Sequence, residues 1–226
     1  MVDHNVSVVE VPIQELDIPE VSTLLQLEEK LREVFEAGLP GFVIRASGII
    51  ESTASSHKEI ADAIVATLNG HTDIAGRASI SDGGGLDIPE IFKPGLGDLH
   101  QDCWVADDFV SEIRVHRTIN GSGKVFLANH GTVPLSVHEE RHKGDPNIWA
   151  VDYKADDLFA SGLVDPELVN PTVYSTELAE GDTLVFLEEI PVRASHDKSG
   201  PVWHRFDTST EYRSAYVMFV KYALAA

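Results

Sequence analysis

PVWHRFDTSTEYRSAYVMFVKY, residues 201–222, decides how the fold of this chain is read. Two runs rich in aromatic and β-branched residues, PVWHRF and YRSAYVMFVKY, flank DTSTE, a cluster of turn-forming residues, and this pattern predicts a β-hairpin. His204 lies on the first arm and Arg213 on the second, nine residues apart. A hairpin can bring two such side chains to one face. Upstream, further strand-like runs follow one another: EIRVHRTI, KVFLANH, TVPLSV, TVYSTEL and DTLVFLEEI. Turn signals separate them, among them Asn120-Gly121-Ser122-Gly123, Glu180-Gly181-Asp182 and Asp197-Lys198-Ser199-Gly200.

The first third has a different texture. VSVVEVPI (6–13) alternates like a half-buried strand, and PGFVIRAS (40–47) reads as a short one. Between them, Leu24, Leu27, Leu31, Val34 and Phe35 recur at three-to-four spacing, an amphipathic helix capped by Ser22 or Thr23 and ended by Gly38. SSHKEIADAIVATLNG (55–70) predicts a second helix, with Asn69-Gly70 as its stop. Residues 71–98 read as loop-rich around Gly83-Gly84-Gly85, and with no GxGxxG or GxxxxGK[ST] pattern the glycines do not form a phosphate cradle. Helices first and short strands after predict an α+β chain with helices packed on an antiparallel sandwich or barrel.

Bulk composition narrows the function. At 226 residues the chain suits one domain with a real core. It carries 37 acidic against 17 basic residues, a formal charge of -20, and no basic cluster. Such a surface repels phosphate backbones, so nucleic-acid binding is not expected. No run of about 18 apolar residues predicts a membrane span, and the N-terminus lacks the pattern of a signal peptide. Cys103 is the only cysteine, which excludes an internal disulfide and a multi-cysteine zinc site. A cytoplasmic protein is the expectation.

With 10 histidines among so many acids, roughly 1.6 cases of His-x-Asp/Glu are expected by chance, and four occur. His57-Lys58-Glu59 lies in the second helix, where residues two apart face away from each other. His71-Thr72-Asp73 follows the Asn-Gly stop, with no rigid element beneath it. His138-Glu139-Glu140 runs into Arg141, His142 and Lys143, a solvated charge run. His100-Gln101-Asp102 differs: Leu99 precedes it, Cys103, Trp104 and Val105 follow it, and on a strand its imidazole and carboxylate would share a face. That pair reads equally as two metal ligands or as a core histidine bonded to its neighbour.

Taken in order, His100-Gln101-Asp102, Gly181-Asp182-Thr183-Leu184-Val185-Phe186, His204 and Arg213 resemble the iron(II)- and 2-oxoglutarate-dependent oxygenases. The His-to-Arg spacing is similar to that of the prolyl-hydroxylase-like members. The resemblance runs in outline from residue 99 to 221 and rests on a handful of positions. It implies a double-stranded β-helix, of jelly-roll or cupin-like form, with the N-terminal helices packed on one sheet, as a single oxygenase domain over residues 1–226. It implies His100, Asp102 and His204 as ligands of Fe(II), with 2-oxoglutarate as cosubstrate, dioxygen as co-reactant and Arg213 binding the distal carboxylate of 2-oxoglutarate. Two imidazoles and a carboxylate leave one face of a six-coordinate Fe(II) open, and arginine offers a planar, bidentate cation to a carboxylate. The implied activity is hydroxylation of a small polar molecule, such as an amino acid or natural-product intermediate. A carboxylate at Asp102 implies a hydroxylase over a halogenase.

Two features depart from the family pattern. Where members often carry Arg-x-Ser, this chain has Ala215, and Thr183 or Tyr216 would have to supply the missing hydroxyl. His196 also follows the GDTLVF run, but it abuts a turn, and strand-borne His204 is favoured because strands hold ligands more firmly. Elsewhere, Arg114 and His116 share a face of EIRVHRTI; they could line a pocket for an anion, with outward-facing polar residues slightly favoured. His130 reads as a loop histidine, and Trp104, Trp149 and Trp203 as core or pocket wall. The alternatives to the oxygenase are a cupin-like metalloenzyme, which would not need Arg213, and a non-catalytic β-sandwich binding module with structural histidines.

Overall fold

The computed structural model describes residues 14–36, 39–45, 57–70, 74–89, 99–104, 111–128, 150–154, 172–189, 202–208 and 212–224. The expected strands at 6–13 and TVPLSV, together with His71, His130, His138, Trp149 and His196, lie outside these residues. Two helices and twelve strands are present among the described residues: β1 (Gln14–Asp17), β2 (Glu20–Val21), α1 (Leu24–Glu36), β3 (Gly41–Ile44), α2 (His57–Asn69), β4 (Ile74–Pro89), β5 (His100–Trp104), β6 (Ser111–Asn120), β7 (Gly123–Ala128), β8 (Ala150–Lys154), β9 (Thr172–Leu178), β10 (Thr183–Glu189), β11 (Trp203–Thr208) and β12 (Tyr212–Leu224).

The strands form two six-stranded sheets. Sheet A runs β1-β9-β7-β11-β5-β8 and sheet B runs β2-β3-β10-β6-β12-β4. From β4 to β7 and again from β9 to β12, successive strands alternate between the sheets, so each hydrogen-bonded neighbour is distant in sequence. The result is a β-sandwich of jelly-roll type with helices on the outside of sheet B.

That placement corrects two sequence readings. The C-terminal stretch is not a hairpin: β11 pairs with β5 and β7, whereas β12 pairs with β4 and β6 in the facing sheet. DTSTE therefore joins strands on opposite walls, because each strand finds a better ladder with partners from earlier in the chain. Residues 74–89 are not loop either. They form a long strand against β12, with a bulge where Val217 pairs Gly84 and Met218 pairs Asp82. Glycine's weak strand preference is overridden by the ladder, and the extra residue sits at the bulge.

Helix α1 starts as its sequence suggests. The Gln26 backbone N–H donates to Thr23 Oγ1 at 3.2 Å, and Gln26 Oε1 accepts from the Ser22 N–H at 2.9 Å. Between them these two bonds satisfy donors that a helix start otherwise leaves open. Leu27, Leu31 and Val34 are buried, as are Ile60, Ala61, Ile64 and Leu68 of α2. Both apolar stripes turn to the protein: α2 lies against β4, β6 and β12, and α1 against β2, β3 and α2. Neither helix is long and apolar enough to cross a membrane.

Sheets A and B approach closely. A Cβ added at Gly41 would sit 2.6 Å from the Val185 carbonyl oxygen and 2.9 Å from Leu127 Cδ1 on the facing sheet, so only glycine fits. At one end Arg45 clamps the two walls. From the end of β3 it donates to Asp182 Oδ2 at 2.8 Å, to the Glu177 carbonyl at 2.8 Å and to Thr176 Oγ1 at 2.8 Å, and it pairs with Glu20. Burial works against the Arg45 charge, but the hydrogen bonds and charges of Glu20 and Asp182 outweigh it and raise its pKa above the ordinary arginine value. The same end is closed by tight turns at Gly121 and Gly181, with φ of 77° and 86°. Arg45→Ala would leave Asp182, 7 % exposed in its side chain, short of its cation. A loss of about 2–3 kcal/mol is expected, read as a lower urea midpoint; a change below about 0.5 kcal/mol would show that the clamp carries no stability.

Candidate metal centre

Alternation along β11 decides what enters the space between the sheets. His204 and Phe206 face sheet B, where His204 lies 5.0 Å from the Phe186 ring and Phe206 stacks on His116 at 4.5 Å. Trp203 and Arg205 take the other face, with the Arg205 guanidinium 4.1 Å over Phe126. His204 is 1 % exposed. Its Nδ1 lies 3.2 Å from the Val202 carbonyl oxygen. A carbonyl only accepts, so Nδ1 carries the proton, and in the neutral ring Nε2 keeps its lone pair. That is the tautomer a metal ligand needs, with its outer nitrogen held by the backbone.

Directly opposite His204 in the ladder stands His100. Antiparallel partners fall on the same face of a sheet, and so does the residue two along, Asp102. Asp102 in turn pairs with Asp152 of β8. Sheet A therefore brings the positions of His100, Asp102 and His204 together over more than a hundred residues of chain. Among the described residues no three His, Cys, Asp or Glu side chains gather into a metal-sized cluster; the convergence of these three is one of backbone register.

The facing wall is more polar than the sequence reading favoured. Arg114 is 8 % exposed and His116 0 %, so neither is an outward polar residue. β6 sits centrally in sheet B between β10 and β12. Helices cover one of its faces and sheet A the other, which leaves it no solvent side. Arg114, His116 and Thr118 take the face toward sheet A; Ile113, Val115 and Arg117 take the face toward the helices. The Arg114 guanidinium carbon lies 5.8 Å from the Phe186 ring centre and 5.6 Å from that of Phe206. Periodicity shows that 114 and 116 share a face, but only the packing shows which way it looks. Glu112, also buried, pairs with Lys221 at 2.6 Å.

Arg213 stands near the start of β12, opposite Ile88 of β4. Its position falls in the same alternation as Ala215 and Val217, which pair with Thr118 and His116. Phe219, the partner of Arg114, is six residues further along β12, about 20 Å of strand. Thr183 and Tyr216 both pair with Arg117, on the helix side of sheet B.

No family model matches the chain, and no curated protein matches it. Solved structures similar to it include those of a dioxygenase. One is the Kdo hydroxylase KdoO, a non-heme Fe(II) alphaketoglutarate dependent dioxygenase, in complex with succinate and Fe(III), with TM-score 0.37 and 12% identity over 92% of this chain and 89% of that one. The same enzyme with alphaketoglutarate and Fe(III) gives TM-score 0.36 and 13% identity over the same shares, and its cobalt(II) complex gives TM-score 0.36 and 12% identity.

Proposed function

We propose that this chain is an Fe(II)- and 2-oxoglutarate-dependent dioxygenase that hydroxylates a small polar molecule, built as one domain on a double-stranded β-helix. The alternation of β4 to β7 and β9 to β12 between two sheets, each first-half strand lying beside a second-half strand, supports that architecture. The observation that carries the activity is the pairing of His204 with His100, with Asp102 two residues on. His204 is buried, and its Nδ1 is engaged by the Val202 carbonyl. A structural histidine could be held the same way; what favours a ligand is a second histidine and a carboxylate on the same face.

His100, Asp102 and His204 would hold the iron, and Arg213 would receive the distal carboxylate of 2-oxoglutarate. Bound there, iron and 2-oxoglutarate would supply oxidative decarboxylation to succinate coupled to insertion of one oxygen atom into a C–H bond. The chain's own part is positional. Val202 fixes the His204 tautomer, and Phe186 and Phe206 form an apolar wall that keeps water from its ring. Adding Fe(II) and 2-oxoglutarate anaerobically to the metal-free protein is expected to produce a visible charge-transfer band, and aerobic turnover should yield succinate. Folded protein that shows neither would overturn the proposal. A cupin-like enzyme would bind the metal yet give no band dependent on 2-oxoglutarate.

A further inference from the structure

Arg114 and His116 are not accounted for by the iron ligands or by Arg213. Both are buried on β6, on the face toward sheet A. Arg114 and His204 both approach the Phe186 ring: the guanidinium carbon lies 5.8 Å from its centre and the His204 ring centre 5.0 Å from it. His116 stacks on Phe206, whose ring is also 5.6 Å from the guanidinium. A planar cation and an imidazole thus stand together within the inter-sheet interior, beside the candidate iron ligand.

We infer that Arg114, with His116 beside it, forms a carboxylate-binding subsite next to His204. This deepens the proposed function and rests on it. Three observations carry the assignment. The guanidinium is a rigid fork matched to a carboxylate, and the Phe186 and Phe206 rings both lie within cation–π distance of it. It rides on the central strand of its sheet, hydrogen-bonded on both edges, the kind of support that keeps a binding group in place. The chain as a whole carries a formal charge of -20, which repels small acids, so capture of one calls for a local interior cation. By the register of β12, Arg114 is also closer than Arg213 to the rung that faces His204.

The carboxylate has two sources, the substrate and 2-oxoglutarate itself. Glutarate, a dicarboxylate without the chelating 2-oxo group, is the probe, with glutaramide as its neutral match. Titrated into the metal-free protein and followed by calorimetry and thermal melting, glutarate is expected to bind and stabilise, whereas glutaramide does neither. R114Q should weaken glutarate roughly 10- to 100-fold, the range for losing a charged hydrogen-bond donor. R114K, which keeps the charge and serves where R114Q does not fold, should weaken it less. Repeating the titration anaerobically with Fe(II) and saturating 2-oxoglutarate separates the sources. Continued glutarate binding assigns the subsite to an acidic substrate, and its exclusion assigns it to the cosubstrate. Wild-type protein indifferent to glutarate, or R114Q and R114K that bind it as wild type does, would overturn the inference. The charge-transfer band is read in the same samples: its presence alongside those results leaves the oxygenase standing without this subsite, and its absence from wild type removes the oxygenase itself.

Discussion

Replacing His204 by alanine is expected to abolish iron binding and to lower 2-oxoglutarate turnover by more than about 100-fold, beyond the 10- to 100-fold typical of losing a ligand's outer hydrogen-bond partner. The imidazole is buried, and its Nδ1 is committed to the Val202 carbonyl. Truncation also leaves a void beside Phe186 and Phe206, so iron content has to be scaled to the folded fraction seen by circular dichroism. His204→Gln, closer in volume, separates packing from ligation: it should keep most of the stability and none of the iron. His196→Ala serves as the comparison and should bind iron normally. Unchanged iron stoichiometry in folded His204→Ala would remove His204 from the site, and loss of iron in His196→Ala alone would move the ligand to that residue.

Phe186→Ala is expected to cost about 3–5 kcal/mol of stability, the range for a fully buried phenylalanine. The ring is 0 % exposed and sits where three features meet: it touches His204, tilts against Phe206 at 6.3 Å and lies beneath the Arg114 guanidinium. Its strand runs between β3 and β6 in the middle of sheet B, which restricts collapse around the missing ring. Denaturant unfolding followed by tryptophan fluorescence measures the change. Phe186→Leu should cost far less, because most of the volume remains. A loss below about 1 kcal/mol for the alanine variant would show that the inter-sheet core relaxes freely and does not hold His204 in place.

Local pattern was enough to locate much of the fold. The periodicity of Leu27, Leu31 and Val34 placed the first helix and its buried stripe, and the run 55–70 with its Asn69-Gly70 stop placed the second. Strand-like composition between turn signals placed β6, β9 and β10 nearly to the residue, because each is a short run bounded by turn residues, with positive-φ glycines at Gly121 and Gly181. Strand β4 was not legible. Its glycines and aspartates have little strand preference, and it is a strand because β12 offers it a ladder. The hairpin reading of 201–222 failed for a related reason: the turn was visible, but nothing local says whether a turn closes a ladder or crosses from one sheet to the other.

The candidate site divides in the same way. His100, Asp102, His204 and Arg213 could be picked out by residue type, order and strand context, since ligation and carboxylate binding need those chemistries and a strand sets residues two apart on one face. Arg114 and His116 could be paired but not turned inward, because alternation shows which residues share a face and not what covers it. The amino-acid sequence by itself determined both helices, most of the short strands, the shared faces and the short list of chemically able residues, all of which depend on neighbours a few positions away. Only the tertiary structure decided that β11 lies beside β5, setting His204 opposite His100, and that Arg114 faces the same interior. Those relations depend on which distant strands share hydrogen bonds, and that choice is made by the whole core at once.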